Sequence, residues 1–123
     1  MTIGTFERDG LITGDYPLKA KEVTVHGQGT SGATEFLRGD VVAFDNTGTL
    51  VLADSARSAI GADKAVGIIC DNIAVPAGES KVTTMFVKGE FNARFLRFGG
   101  SDTVNQHKRR MTEIGLLVRE TGR

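Results

Sequence analysis

The chain has one cysteine, no tryptophan and no net charge, its fifteen basic side chains balancing fifteen acidic ones. The lone Cys70 excludes an intramolecular disulfide and any zinc site built from several thiolates, and it suits a reducing compartment. The cancelled charge leaves no global field to draw nucleic acid or an anionic membrane, so neither is expected as a partner. No stretch approaches the roughly 20 apolar residues of a membrane span, and the opening MTIGTFERDG carries charge where a signal peptide needs an apolar core. These absences predict a soluble chain made in the cytoplasm.

Motifs that carry chemistry are also scarce. His26 and His107 are the only histidines, with no HxH or HExxH spacing, and both are expected to be solvent-exposed. Cys70 sits in the apolar run GIICDNI, which predicts a buried, inert thiol rather than a nucleophile. No GxSxG elbow occurs, and the glycine-rich pieces GQGTSG and GGSD lack the spacing of a phosphate-cradling loop. No cofactor, metal or small-molecule substrate is expected, and the chain reads as a non-enzyme. Lys108-Arg109-Arg110, with Arg94 and Arg97, reads as a solvated basic face, because the nearby phenylalanines lack the polar interleaving of a base-stacking platform. Arg38-Gly39-Asp40 reads as a turn before a strand, not as an adhesion tripeptide.

What is present fits one domain: 123 residues, 40% hydrophobic and 24% charged. Sixteen glycines and seven phenylalanines predict a mainly β chain of the α+β kind, a small β-sandwich or barrel-like domain with one short C-terminal helix. Strands are expected at KEVTVH from Lys21, at VVAF after the Arg38–Asp40 turn, at TLVLAD after a hairpin turn at Asn46-Thr47-Gly48, and at AVGIICDNI. A long strand broken at Gly89 is expected in KVTTMFVKGEFN, and a final one at LLVRE. DTVNQHKRRMTE predicts the helix, capped by Ser101 or Asp102 and closed by Gly115.

Residues 1–20 read as an extended, mobile arm, with residues 21–123 as the domain. Apolar Ile3, Phe6, Leu11, Ile12 and Tyr16 are scattered among glycines without helical spacing, as suits a segment laid along a sheet edge of a partner. Charge is uneven: residues 1–62 hold five basic and eight acidic side chains, and residues 63–123 hold ten and seven. Opposite halves suit head-to-tail packing of identical subunits, and equally serve solubility.

The order of these pieces resembles the lambda-type head decoration proteins of tailed bacteriophages, also called capsid cement or stabilising proteins. The resembling stretches are TGDYPLKAKEVTVHGQ, FLRGDVVAFDNTGTLVLAD, AVGIICDNIAVPAG, VTTMFVKGEFN and the closing helix with GLLV, which together span almost the whole chain. The charged segment between Arg94 and Arg110 departs from the pattern. The resemblance implies a homotrimer at three-fold and quasi-three-fold positions of the expanded head, clamping the major capsid protein against the pressure of packaged DNA. It would be a virion protein assembled in the host cytoplasm.

It further implies that the arm binds the capsid, through Ile3, Thr5, Phe6, Leu11, Ile12 and Tyr16, so deleting residues 1–16 is expected to leave a folded trimer that attaches poorly. Phe86, Phe91 and Phe95 each read first as core. If the trimer buries part of this cluster, its candidates are Phe95, Arg97 and Phe98, the last beside Gly99-Gly100. The residues by themselves also fit a tail or surface β-domain that binds a receptor glycan or protein, and an enzyme with a dispersed site.

Overall fold

Val41-Val42-Ala43 and Ile68-Ile69 are apolar without alternation, and all five side chains are fully buried because their sheet is covered on both faces. The computed structural model of the chain describes residues 11–12, 17–27 and 34–119. The expectations placed on Ile3, Thr5, Phe6 and Tyr16 therefore lie outside the described residues, as does the loop at 28–33. The protein is mainly β, with strands β1 (Lys19–His26), β2 (Thr34–Phe36), β3 (Val41–Phe44), β4 (Leu50–Leu52), β5 (Ala65–Ile69), β6 (Ile73–Val75), β7 (Ser80–Asn92) and β8 (Leu116–Arg119). One α-helix, α1 (Val104–Ile114), precedes β8.

The main sheet runs β1-β7-β5-β3-β4, antiparallel throughout, with β8 added in parallel beside the end of β7; β2 and β6 form a separate antiparallel pair. On one face Val41, Ala43, Ile68 and Phe91 pack with Leu11, Met111 of α1 and Leu116 of β8. On the other, Val42, Ile69 and Met85 pack with Val25 of β1 and with Phe36 and Val75 of the β2–β6 pair. The two-strand sheet and the helix thus lie on opposite sides of the main sheet.

Gly89 does not break β7. It is where the strand changes partners: Ser80–Lys88 pairs with β1 and β5, and Gly89–Asn92 pairs with β8. Its φ of 152° is one that side-chain-bearing residues rarely adopt, and a Cβ there would lie 2.7 Å from Leu18 Cδ1.

Other boundaries moved for local reasons. The apolar run through Cys70 is two strands, because Asp71-Asn72 turns the chain and Ile73 pairs with Phe36 of β2. Residues 55–60, unassigned from the pattern, form a 3₁₀ turn capped by the Asp54 side chain and closed at Gly61. The helix starts later than expected, on a Thr103 cap with Gln106 closing the capping box; Gly115 ends it as anticipated. The β3–β4 hairpin is held by the Asp45 carboxylate, which accepts from Thr47 N–H, Thr47 Oγ1 and Thr49 N–H at 2.7 to 3.0 Å.

The arm expected over residues 1–20 ends earlier than the sequence pattern indicates. Leu11 is 1% exposed, its carbonyl accepts Asn92 N–H at 2.8 Å, and Ile12 bridges to Phe91. Both residues are joined to the domain: Leu11 is buried in its core, and Ile12 is partly buried against it. Lys19 and Ala20 likewise are already part of β1.

Candidate functional site

The Arg38-Gly39-Asp40 turn is the best-built feature of the surface. Asp40 folds back so that its Oδ2 accepts Leu37 N–H at 2.8 Å, and Asp40 N–H donates to the Leu37 carbonyl at 2.9 Å. Arg97 grips the same carboxylate with both edges of its fork, Nε to Oδ1 at 2.6 Å and Nη2 to Oδ2 at 2.8 Å. This bond to Asp40 raises the Arg97 pKa, against the opposing effect of burial. Asp40 is wholly buried, so the tripeptide has no carboxylate to offer a receptor.

The backbones are laced together as well. Arg97 N–H donates to the Gly39 carbonyl at 3.1 Å and Val41 N–H to the Arg97 carbonyl at 2.9 Å. Gly39 has φ 98°, and a Cβ on it would sit 2.2 Å from the Phe95 carbonyl oxygen. Only glycine lets segment 95–97 lie this close to the turn.

This lacing decides which expected interface residues are available. Phe95, read first as core, is 44% exposed, with the Arg94 guanidinium 6.0 Å from its ring centre. Phe98, the best-placed interface candidate on sequence, is buried instead, its ring stacked on His107 at 4.8 Å and 4°. Arg97 is paired with Asp40, and its side chain remains 54% exposed. Phe86 and Phe91 are core residues, as expected.

Across the turn from Phe95, Leu37 is 41% exposed and forms one wall of a shallow groove of about 310 Å³ lined by Glu35, Phe36, Leu37, Asn72, Ile73 and Ala74. The sequence pattern gave no sign of this groove, because β2 is only three residues long and β6 was hidden in a continuous apolar run.

A second polar cluster gathers around Asp102. Its Oδ1 accepts Ser55 Oγ at 2.8 Å, its Oδ2 accepts Ser55 N–H at 2.6 Å, and His107 Nε2 lies 2.6 Å from Oδ2. Burial pushes the Asp102 carboxyl upward, but these bonds from Ser55 and His107, with the attraction of His107 charge, outweigh it and hold the carboxyl below the usual carboxylate range. An ionised carboxylate can only accept, so Nε2 carries the proton, and Nδ1 is left buried without a partner. His107 is therefore not the solvent-exposed histidine that the sequence suggested; His26 is, with Nδ1 2.8 Å from Ser80 Oγ.

Serine, aspartate and histidine together invite comparison with a hydrolase triad, but their order is wrong for it. The carboxylate stands between hydroxyl and imidazole, so Ser55 donates to Asp102 and the imidazole does not face its oxygen. The cluster ties the 3₁₀ turn to the start of α1.

The basic residues do not act as one patch. Arg109 lies 3.7 Å from Glu113, Arg110 donates to the Ala65 carbonyl, and Arg97 is held by Asp40. Cys70 is buried and its thiol is pushed up to about 11 by that burial, with the charge of Asp71 adding to the rise and Arg38 opposing it. Among the described residues no group of three or more His, Cys, Asp or Glu could hold a metal ion, and no helix is long and apolar enough to cross a membrane. No protein-family model matches the chain, and no curated protein sequence matches it.

Proposed function

We propose that this protein is a structural decoration protein of a tailed-phage head, non-enzymatic, binding the expanded shell as a homotrimer at three-fold and quasi-three-fold positions and clamping neighbouring major capsid subunits. The observation that carries the reading is the anchor at Leu11 and Ile12. Leu11 is sunk in the core and hydrogen-bonded to Asn92, so the ten residues before it, which include Ile3, Thr5 and Phe6, are tethered at a fixed point on the sheet. A short glycine-spaced, apolar-dotted segment tethered in this way suits strand addition to a partner.

The stretches that resemble decoration proteins also fall on coherent pieces of the fold. FLRGDVVAFDNTGTLVLAD runs from the last residue of β2 through β3 and β4, AVGIICDNIAVPAG covers β5 and β6, and VTTMFVKGEFN makes up most of β7. The mechanism is linkage: a protein that binds the expanded shell and not its precursor shifts the balance toward the expanded form in proportion to that difference in affinity. Ordering a bound segment costs about 1 kcal/mol or more per residue, so a single arm is weak, and three arms on one trimer act multivalently.

The test is co-sedimentation with undecorated shells of the phage's major capsid protein, before and after expansion. Saturable binding to expanded shells alone is the expected result. Equal binding to both forms, or to neither, would refute the reading, and capture by a host receptor instead would move the protein to a tail or surface role.

A further inference from the structure

We infer that the copies of this chain join by seating Phe95 and Arg94 of one subunit in the Leu37–Ile73–Ala74 groove of the next. This deepens the self-association part of the proposed function and rests on it, but not on capsid binding.

Phe95 projects from the end of a short 3₁₀ turn (Ala93–Phe95), and the rest of the phenylalanine cluster (86, 91 and 98) is inside. The groove is floored by apolar Phe36 and Ile73 and walled by Leu37, with room for a phenyl ring. Exposed Glu35 stands at its rim, across β2–β6 from Ala74. A basic, aromatic knob thus matches an apolar groove with an acidic rim.

Charge also decides how two copies meet. A symmetric contact of Phe95 on Phe95 would set Arg94 against Arg94, and groove on groove would set Glu35 against Glu35. Knob into groove pairs opposite charges and buries the aromatic ring, and repeated head to tail from subunit to subunit it makes a heterologous interface.

The placement of the two halves suits a small closed ring. In a cyclic assembly each subunit shows one surface to the neighbour on its left and another to the neighbour on its right, and the two meet at the axis. Here they meet at the Gly39 turn, with Leu37 at its start and Phe95 packed against its glycine. The Asp40–Arg97 ion pair ties segment 95–97 to that turn.

The test is the oligomeric state of the full chain by sedimentation equilibrium from micromolar to millimolar concentration. The wild-type chain is expected to form a closed trimer, and Phe95→Asp, an exposed position that leaves the core untouched, to weaken association at least about 30-fold. Arg94→Glu and Glu35→Arg should each weaken it, and the double variant should recover it. Phe95→Cys mixed with Ala74→Cys should cross-link on mild oxidation, with neither alone doing so.

A chain that stays monomeric throughout, a trimer unmoved by Phe95→Asp, or Phe95→Cys cross-linking to itself would each overturn the interface. Shell binding is scored separately: a trimer that depends on Phe95 but ignores expanded shells sinks the capsid reading and keeps this one. Shell binding by a chain whose trimer ignores Phe95 does the reverse.

Discussion

Leu11→Ala is expected to destabilise the domain by about 3 kcal/mol, although the residue lies in a segment whose sequence reads as an arm. Leu11 is 1% exposed and packs in the cluster that holds Val41, Phe91, Met111 and Leu116. Its Cδ1 would be 3.8 Å from a Cβ built on Gly39, so it fills the space beneath the turn that carries the proposed interface. Truncation to alanine leaves the Leu11 carbonyl bonded to Asn92, so the loss is one of transfer and cavity terms alone, which for buried leucines run from about 2.7 to 5 kcal/mol. For a chain of this length that corresponds to a fall in melting temperature of roughly 10 °C. The assay is urea unfolding beside calorimetry, comparing Leu11→Ala with deletions of residues 1–9 and 1–16. The short deletion should leave the midpoint unchanged. The long one, which removes the side chain, its hydrogen bond and Ile12, should lower it more than Leu11→Ala does. A Leu11→Ala midpoint within error of wild type would refute the placement of this residue and, with it, the tether on which the functional reading stands.

Three further outcomes follow from the polar clusters. Arg97→Ala should cost about 2–3 kcal/mol in urea unfolding, because it strips both charge-assisted bonds from a buried carboxylate that keeps only Leu37 N–H. Asp45, held low chiefly by the Thr47 hydroxyl and the Thr49 N–H, and Asp102 both titrate below their ordinary range in the folded chain. Groups more acidic when folded stabilise fully above their unfolded value of about 4, and that contribution drains as pH falls through the folded values. The urea midpoint should thus be flat from neutral pH to mild acid and drop below that, less steeply in Asp102→Asn; a midpoint that rises on acidification would contradict the assignment. Cys70, with its pKa near 11, should react with a thiol reagent at mildly alkaline pH far more slowly in the native than in the urea-unfolded protein, and equal rates would show it to be accessible.

Much of the fold was legible because its signals are local. Val23 and Val25 alternate with polar residues and lie in β1; Gly48 and Gly115 take the positive φ that a hairpin turn and a helix end require. Apolar runs without alternation correctly marked strands covered on both faces, but not where one strand stops: Cys70 continues the run of β5, and only the pairing of Ile73 with Phe36 makes β6 a separate strand. The exposed and buried phenylalanines were beyond pattern reading. Phe95 and Phe98 are three residues apart in one apolar cluster, and what separates them is the contact of Phe98 with His107 and the tie of Arg97 to Asp40, across 57 residues of chain. His107 was misjudged for the same reason, since its partner Asp102 looked like a helix cap and Thr103 took that role. Leu11 was missed because glycines lie near it in the chain and its partner Asn92 is distant in sequence.

The partner change along β7 sets the route by which a pull on the N-terminus would enter the protein. Leu11 hangs on Asn92, and Asn92 lies in the stretch of β7 that runs alongside β8, which follows directly from α1. Tension on the first ten residues therefore arrives where the N-terminal segment, β7 and β8 are bonded side by side, and passes along β7 through Gly89 into the hydrogen bonds with β1 and β5. A tether on the outer strand β4 would load one hairpin partner alone; a tether here passes its load along β7 to the strands paired on either side of it.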